Sequence, residues 1–245
     1  MTIKNSTYIC ALFAAILFSA CSNDNEDYNK IPIHKRYVKS IDTGDNIIHI
    51  EYDDQHRIIR YGDKRLIYNG NTVQVINSYL SEIYAIIQLN NEGYVISVEY
   101  EHNTYEHKHI DTYNYDPTGL LISEYCANDD IGYSFRWENG NRYTIGSTDR
   151  FNYVYRDIYT THKTPPCNLD FSTRDTWRHC YGLPFGKQCS NLIEVDDLYS
   201  INSDYIEGYR FAYEYDKDGY ISKIVETWYT NGEKDETRVY EITYY

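Results

Sequence analysis

The stretch Tyr213-Glu-Tyr-Asp-Lys-Asp-Gly-Tyr-Ile-Ser-Lys-Ile224 decides the fold. Alternating residues flank a polar turn at residues 216–219, a pattern typical of two antiparallel strands joined by a tight turn. The same cassette occurs at Tyr113-Asn-Tyr-Asp-Pro-Thr-Gly-Leu-Leu-Ile-Ser-Glu-Tyr125. Less regular copies lie at Ile50-Glu-Tyr-Asp-Asp-Gln-His-Arg-Ile-Ile59 and Ile87-Gln-Leu-Asn-Asn-Glu-Gly-Tyr-Val-Ile96. This repetition predicts a meander of β-hairpins.

A second turn type supports the same conclusion. Asn69-Gly-Asn71 and Asn139-Gly-Asn141 are strong hairpin signals, because Asn-Gly readily adopts the positive φ angles of tight turns. The chain also has 30 tyrosines among its 245 residues, and tyrosine favours strands. We therefore predict an all-β protein whose residues 36–245 form one large antiparallel meander, either a curved sheet or a partly closed barrel. Its last strands are expected at residues 206–215, 220–229 and 237–245.

Residues 160–200 interrupt the meander. Three prolines and three cysteines fall here, and Ser172-Thr-Arg-Asp175 has the spacing that caps one or two helical turns. Long connections in compact domains are usually functional or disordered. The apolar residues Leu169, Phe171, Trp177 and Phe185 argue against disorder. We expect an ordered crossover that plugs or flanks the sheet.

The first residues have the form of a secretory signal. Lys4 precedes an apolar run at residues 8–20, which is shorter than the roughly 20 residues needed to span a bilayer. We assign residues 1–20 to a signal peptide. The formal net charge of -14 makes nucleic acid an unfavourable partner.

The residues that follow resemble lipoprotein processing and export signals. Phe18-Ser-Ala-Cys21 resembles a bacterial lipobox, which implies cleavage before Cys21 and a lipid anchor on its thiol. The alternative is plain secretion with an ordinary cysteine. Ser22-Asn-Asp-Asn-Glu-Asp27 resembles the acidic export signal of Bacteroidetes lipoproteins, which implies the outer face of the outer membrane. Its composition also suits a solvated tether, assigned to residues 21–35.

The cassettes resemble the YD repeats of Rhs-type proteins. The run Gly182-Leu-Pro-Phe-Gly-Lys-Gln-Cys-Ser-Asn-Leu192, with the last cassette, is similar to a Bacteroidales lipoprotein family classed as a domain of unknown function. The resemblance covers residues 37–245, implies a curved, porin-like meander and supplies no catalytic residues to assign to this chain. In the first cassette Gln55-His56 replaces the turn glycine. Strands that carry charge on their second face, and that are often shorter than the 9–11 residues of spanning strands, favour a tethered sheet over membrane insertion.

One group of residues suggests a metal site. If residues 94–102 and 107–115 pair as a hairpin, His102 faces His107, while Tyr100 faces His109 and Val98 faces Asp111. Three imidazoles and the Asp111 carboxylate would then share one face, and such groups bind Zn²⁺. The alternative is a solvent-facing polar tip, because the spacing matches no fixed metal motif.

Four cysteines remain after processing. Pairs Cys180–Cys189 and Cys126–Cys167 would form disulfides in an oxidising envelope, whereas an anaerobe would leave all four reduced and buried.

Aromatic and acidic residues supply the other candidate sites. Trp137, Trp177 and Trp228 could stack on sugar rings if exposed, although such residues more often lie in the core. Carboxylate pairs at Asp53-Asp54, Asp129-Asp130 and Asp196-Asp197 could serve glycoside hydrolysis, but adjacent strand residues point to opposite faces.

We expect a surface-exposed outer-membrane lipoprotein that acts as a non-enzymatic binding or scaffold module without a cofactor, for a glycan or a protein partner. A tyrosine-rich sheet suits recognition, because tyrosine gives contact area at low entropic cost. The alternatives are a metal- or carboxylate-dependent hydrolase and a purely structural envelope protein.

Overall fold

The computed structural model describes residues 35–100, 109–147, 153–173, 179–200 and 206–245. In these ranges it contains sixteen strands and one 3-10 helix, His179–Gly182. The strands are β1 Val38–Asp42, β2 Ile47–Tyr52, β3 Ile58–Tyr61, β4 Lys64–Asn69, β5 Thr72–Asn77, β6 Ile83–Leu89, β7 Val95–Tyr100, β8 His109–Tyr115, β9 Leu121–Cys126, β10 Ile131–Glu138, β11 Asn141–Ser147, β12 Tyr153–Lys163, β13 Asn191–Ser200, β14 Ile206–Tyr215, β15 Ile221–Thr230 and β16 Glu233–Tyr244. None of the described helices is long and apolar enough to cross a lipid bilayer.

The strands form one antiparallel sheet that almost closes on itself. Strands that are consecutive in the chain pair with each other, except β11 and β12, and the first strand also pairs with the last. The two edges of the sheet are therefore β11 and β12. The backbone N–H of Thr144 on β11 donates to Asp157 Oδ2 on β12 at 2.7 Å, so side chains bridge these edges. The predicted all-β, barrel-like meander is confirmed.

Alternation along the strands produces the core. Val73 and Val75 on β5 are fully buried and lie opposite Ile87 and Ala85 on β6. The intervening Gln74 is only partly buried, because successive side chains point to opposite faces of a strand. Residues 206–215 form β14 as predicted, whereas β16 starts at Glu233, four residues before the expected position.

The cassette turns share one hydrogen-bonding device. Asp116 Oδ1 accepts bonds from the N–H groups of Thr118 and Leu120, both at 2.9 Å, and Gly119 has φ of 85°. In the first cassette His56 has φ of 60° and occupies the position of the turn glycine. The His56 ring stacks on Tyr37 with centroids 4.6 Å apart. The turn geometry is thus kept although the glycine is absent.

The crossover is shorter than predicted, because β12 and β13 extend into the expected range and leave residues 164–190 between them. It packs against the interior of the sheet, where Leu169 and Phe171 are buried. Its backbone also bonds to other segments, as Pro184 O accepts from Val95 N at 3.0 Å and Lys187 N donates to Gly119 O at 3.0 Å. A 3-10 helix forms at His179–Gly182, and residues 174–178, where most of the expected helical turns would lie, are outside the described ranges.

The crossover and the N-terminal segment lie at the same end of the barrel. In an antiparallel meander, every second connection falls at one end, and the 116–120 turn and the crossover both follow even-numbered strands. Arg36 N donates to Pro166 O at 3.2 Å, and Arg36 O accepts from Asn168 N at 3.2 Å. The chain preceding the barrel therefore enters beside the crossover.

Candidate functional site: an acidic cavity inside the barrel

A cavity of about 380 Å³ lies inside the barrel and is lined by strands β8 to β14. Thr173 and Phe185 of the crossover also line it. Small-molecule sites usually have volumes of roughly 300–1,000 Å³. The cavity is therefore large enough for a compact ligand.

Acidic side chains dominate the polar part of the lining. They are Asp111, Glu124, Asp157, Asp196 and Glu207, which come from five different strands. Among the described residues of the lining, Arg142 is the one basic side chain. Carboxylates accept hydrogen bonds, so the wall favours a ligand with many hydroxyl or ammonium donors.

Two of these carboxylates face each other across neighbouring strands. Asp157 lies directly opposite Asp196 in the β12–β13 register, which places their Cβ atoms about 4.5–5.5 Å apart. Burial raises the pKa of Asp157, although the hydrogen bond from Thr144 N–H and the charge of Arg142 oppose this shift. Asp157 thus holds its proton more tightly than an ordinary aspartic acid does.

Arg142 is held inside the barrel by an aromatic ring and by neighbouring negative charge. Its guanidinium lies over the ring of Phe135, 4.5 Å from the centroid. Burial opposes its charge, but Cys189 and Glu124 outweigh burial and raise its pKa above the usual value. Arg142 therefore remains a fixed cation that can donate hydrogen bonds to a hydroxyl or carbonyl oxygen of a ligand.

Aromatic rings form the apolar part of the lining. Tyr133 on β10 and Tyr155 on β12 meet edge to face with centroids 5.7 Å apart, and Tyr113 meets Phe185 in the same way at 4.7 Å. Burial raises the pKa of Tyr113 well above its ordinary value, so its hydroxyl stays protonated. The cavity thus combines ring faces with carboxylates, as sites for hydroxylated rings require.

The described residues include two members of the predicted histidine site, His109 and Asp111. The assumed hairpin register is confirmed, because Tyr100 pairs with His109 and Val98 pairs with Asp111. His109 Nε2 lies 3.0 Å from Asp111 Oδ1. His102 and His107 lie outside the described residues, so a metal site that includes them stays a prediction.

The two tryptophans in the described ranges, Trp137 and Trp228, are partly buried and do not form an exposed stacking surface. Trp137 is partly buried, and its Nε1 donates to Leu121 O at 2.8 Å. Trp228 lies directly opposite Tyr209 in the β14–β15 register and stacks on its ring with centroids 6.1 Å apart, so it packs beside a tyrosine of the cavity lining. Trp177 lies outside the described ranges.

The four cysteines of the barrel are free thiols in the structure. Neither of the two predicted pairs is formed between them. Cys167, Cys180 and Cys189 are buried, and Cys126 is partly buried. This arrangement corresponds to the reduced alternative.

The adjacent carboxylate pairs do not converge. Asp196 lines the cavity, whereas the neighbouring Asp197 bonds on the outer face to Arg156 and Arg210. In the first cassette Asp53 Oδ1 accepts from the N–H groups of Gln55 and Arg57 and so forms part of the turn. Convergence occurs instead between separate strands, as at Asp157 and Asp196.

Sequence reasoning missed the cavity, although one signal was present. On β8 and β14 an acidic residue stands two positions before a tyrosine, as in Asp111 and Tyr113 or Glu207 and Tyr209. Residues two apart share a face, so these acids had to point the same way as the tyrosine rings. A carboxylate on the core face of a strand indicates a polar interior.

Comparison with known proteins shows the fold. The structure is similar to a porin-like protein from Bacteroides uniformis, with a TM-score of 0.63 and 14% sequence identity over 85% of this chain and 96% of that chain. It is also similar to a porin-like protein from Bacteroides vulgatus, with a TM-score of 0.60 and 16% identity over 86% of this chain and 99% of that one. No protein-family model matches the sequence, and no curated protein does.

Proposed function

We propose that this protein is a lipid-anchored envelope protein that binds a small glycan fragment in its acidic, tyrosine-lined cavity. The observation that carries the proposal is the cavity itself, where five carboxylates and one guanidinium stand among aromatic rings. Sugar hydroxyls donate to carboxylates, and the apolar face of a sugar ring packs on tyrosine. With a volume of about 380 Å³, the cavity suits one or two sugar rings.

The charge of the cavity restricts the class of glycan. Five acidic groups against one basic group repel anionic sugars and attract ammonium groups. We therefore propose neutral or amino sugars as ligands, and uronic or sialic acids as non-ligands.

The placement of the chain termini supports tethering at the end of the barrel that carries the crossover. Residue 36 is bonded to the crossover, so a lipid on Cys21 would hold this end towards the membrane. Asp111, Cys126 and Glu207 line the cavity near strand ends remote from the crossover. A ligand would then approach from the side that faces away from the membrane. The porin-like fold of the two Bacteroides proteins is consistent with an envelope location.

The outer surface of the barrel has the properties of a domain that lies in water and is not inserted in the bilayer. Strands β1 to β11 have 4–8 residues each, whereas a spanning strand needs about 9–11. The outer face also carries ion pairs, such as Glu51 with Arg60 and Glu214 with Lys223. Charged groups on a lipid-facing surface would cost several kcal/mol near the middle of the bilayer.

A thermal-shift screen of the full chain in detergent tests the proposal. Neutral, amino and anionic mono- and disaccharides are compared, because a ligand that binds the native state raises its melting temperature by mass action. We expect a rise with neutral or amino sugars only. No shift with any sugar, or a shift with anionic sugars alone, would contradict the proposal.

The Asp157–Asp196 pair favours a second candidate function, glycoside hydrolysis. Retaining glycosidases hold two carboxyl groups about 5–5.5 Å apart, one of them protonated. The two residues are direct cross-strand neighbours, and burial raises the pKa of Asp157. Release of a chromophore from aryl glycosides, abolished in both Asp157→Asn and Asp196→Asn, would establish this activity. A glycan that binds but is not hydrolysed would contradict the hydrolase function and would be consistent with binding alone.

A further inference from the structure

One corner of the cavity wall brings together nitrogen, sulfur and oxygen donors. Cys126 Sγ lies 3.5 Å from His109 Nε2 and 3.4 Å from Asp129 Oδ2. The donor atoms of His109, Cys126 and Asp129 all lie within 4.8 Å of one another. Asp111 adds a carboxylate oxygen 3.0 Å from the same His109 nitrogen.

The backbone around these residues is fixed by pairing and by a bonded turn. Cys126 on β9 lies directly opposite Asp111 on β8, and His109 lies two residues before Asp111 on the same face. The turn after β9 folds back onto β8, since Ala127 N donates to Ile110 O at 2.9 Å and Ile110 N donates to Asn128 Oδ1 at 3.0 Å. These bonds position the turn so that Asp129 lies beside Cys126.

Three separations between donor atoms are close to the edge lengths of a tetrahedron around zinc. Zinc–ligand bonds of about 2.0–2.3 Å at tetrahedral angles place neighbouring donor atoms about 3.3–3.5 Å apart. The observed separations between donor atoms, 3.0, 3.4 and 3.5 Å, lie at or near this range. A set of imidazole, thiolate and carboxylate donors also suits zinc better than Ca²⁺ or Mg²⁺, which prefer oxygen ligands alone.

We propose that His109, Cys126 and Asp129 bind a Zn²⁺ ion at the cavity wall, with the Asp111 carboxylate next to the His109 ligand. The site shares Asp111 with the proposed glycan cavity, but its donor distances do not depend on a bound sugar, so it can be tested separately. Asp111 and Cys126 also line the cavity, so the bound ion would contribute positive charge to an otherwise acidic surface. It would also join the turn after β9 to β8.

Cobalt absorption tests the site, because a Co²⁺–thiolate bond gives a charge-transfer band in the near ultraviolet. The full chain is freed of metal with a chelator, kept reduced and titrated with Co²⁺, and Zn²⁺ is then added in competition. We expect one Co²⁺ per chain with the thiolate band, and its displacement by Zn²⁺. In Cys126→Ser the band should vanish, although the other cysteines of the barrel remain. Its Zn²⁺ affinity should fall by roughly tenfold or more.

Asp129→Asn and Asp130→Asn form a matched pair that separates ligation from folding. Both residues are exposed in the same turn, but Asp130 Oδ1 accepts a bond from the Tyr125 hydroxyl at 2.8 Å instead of facing Cys126. Zn²⁺ affinity should fall in Asp129→Asn and stay at the wild-type value in Asp130→Asn, with both variants folded by circular dichroism. A wild-type protein without the thiolate band, or a Cys126→Ser variant that binds Zn²⁺ as tightly as wild type, would overturn the proposal.

Discussion

The backbone N–H of Thr144 on β11 donates to the side chain of Asp157 on β12 at 2.7 Å. These two strands are the edges of the described sheet, and the seam between them has no backbone ladder. A second bridge joins the Tyr159 hydroxyl to Arg142 O, and the Tyr143 and Tyr159 rings meet at 5.3 Å. Side chains thus take the place of the missing strand ladder. The same seam forms one wall of the cavity, so closure of the barrel and shape of the cavity depend on shared residues.

We predict that Asp157→Ala lowers the free energy of unfolding by about 1–3 kcal/mol, because the partly buried Thr144 N–H loses its acceptor. Asp157→Asn keeps an acceptor and removes a charge that burial disfavours. The folded-state pKa of Asp157 is raised, so its ionised form costs stability as pH rises above the unfolded value. Asp157→Asn should therefore match or exceed wild type at pH 7. Urea unfolding of both variants checks this, and equal losses in the two would contradict the role of the seam.

The outer-face cluster around Asp197 should determine part of the acid sensitivity. Its side chain is only 1% exposed, and Arg156 Nε and the Tyr199 hydroxyl each donate to it at 3.0 Å. Burial alone would raise the pKa of Asp197, but bonds from Arg210 and Arg156 outweigh burial and lower it. A depressed carboxyl pKa contributes stability above the unfolded value of about 3.9, and this contribution is lost as pH falls through the folded value.

Asp197→Asn should therefore destabilise the protein at pH 7 by about 1.5–3 kcal/mol, the range for hydrogen bonds to charged groups. The difference from wild type should shrink as the pH falls below about 4. Glu214→Gln, which removes an exposed ion pair with Lys223, is the control and should change little. If the difference in free energy of unfolding between Asp197→Asn and wild type stays constant from pH 7 to pH 3, the charge of Asp197 is not the source of the stabilisation.

Gly186 fixes the crossover against the 116–120 turn. Its φ is 86°, and an added Cβ would lie 2.6 Å from Gly119 O and 2.9 Å from the Tyr115 ring. We predict that Gly186→Ala destabilises the protein by about 2–4 kcal/mol, from backbone strain and the clash with Gly119. Gly232→Ala is the matched control, since its φ is 84° but no atom lies within 4 Å of the added Cβ. Similar losses in urea unfolding would show that the crossover contact contributes nothing.

Anchoring through Cys21 is tested by fractionation. Cys21→Ala removes the thiol that the lipid would occupy, so the protein should move from the membrane fraction to the soluble fraction. Surface proteolysis of intact cells that express the wild type then tests exposure on the outer face. Retention of Cys21→Ala in the membrane fraction would contradict lipid anchoring.

Local patterns in the sequence were sufficient to predict the fold class. The cassettes encode each hairpin within about a dozen residues, so strands such as β14 and turns such as that at Asp216 follow from neighbouring residues alone. Closure of the barrel does not follow from such patterns. Val38 pairs with Tyr244 across nearly the whole chain, and nothing local to either residue specifies its partner.

The cavity was beyond local patterns for the same reason. Asp157 and Asp196 meet because β13 folds back on β12 after the crossover. The register of these two strands shifts after Ile158 and again after Tyr159, so it cannot be counted from the sequence. A one-residue slip would turn either carboxylate to the outside. The metal-ligand candidates could be predicted only in part. The β7–β8 register predicted from the sequence places His109 and Asp111 correctly. Cys126 and Asp129 come from the next strand and turn, and the sequence pattern did not connect them with His109.

Calorimetric titration of the full chain with the best-binding neutral or amino sugar is the most direct test of the central claim. Asp196→Asn removes a cavity carboxylate, and Asp235→Asn removes an exposed aspartate in β16 as the matched control. We predict that affinity falls by roughly tenfold in Asp196→Asn, equivalent to about 1.4 kcal/mol, and is unchanged in Asp235→Asn. Equal affinity in wild type and Asp196→Asn would show that the sugar binds outside the cavity and would contradict the account.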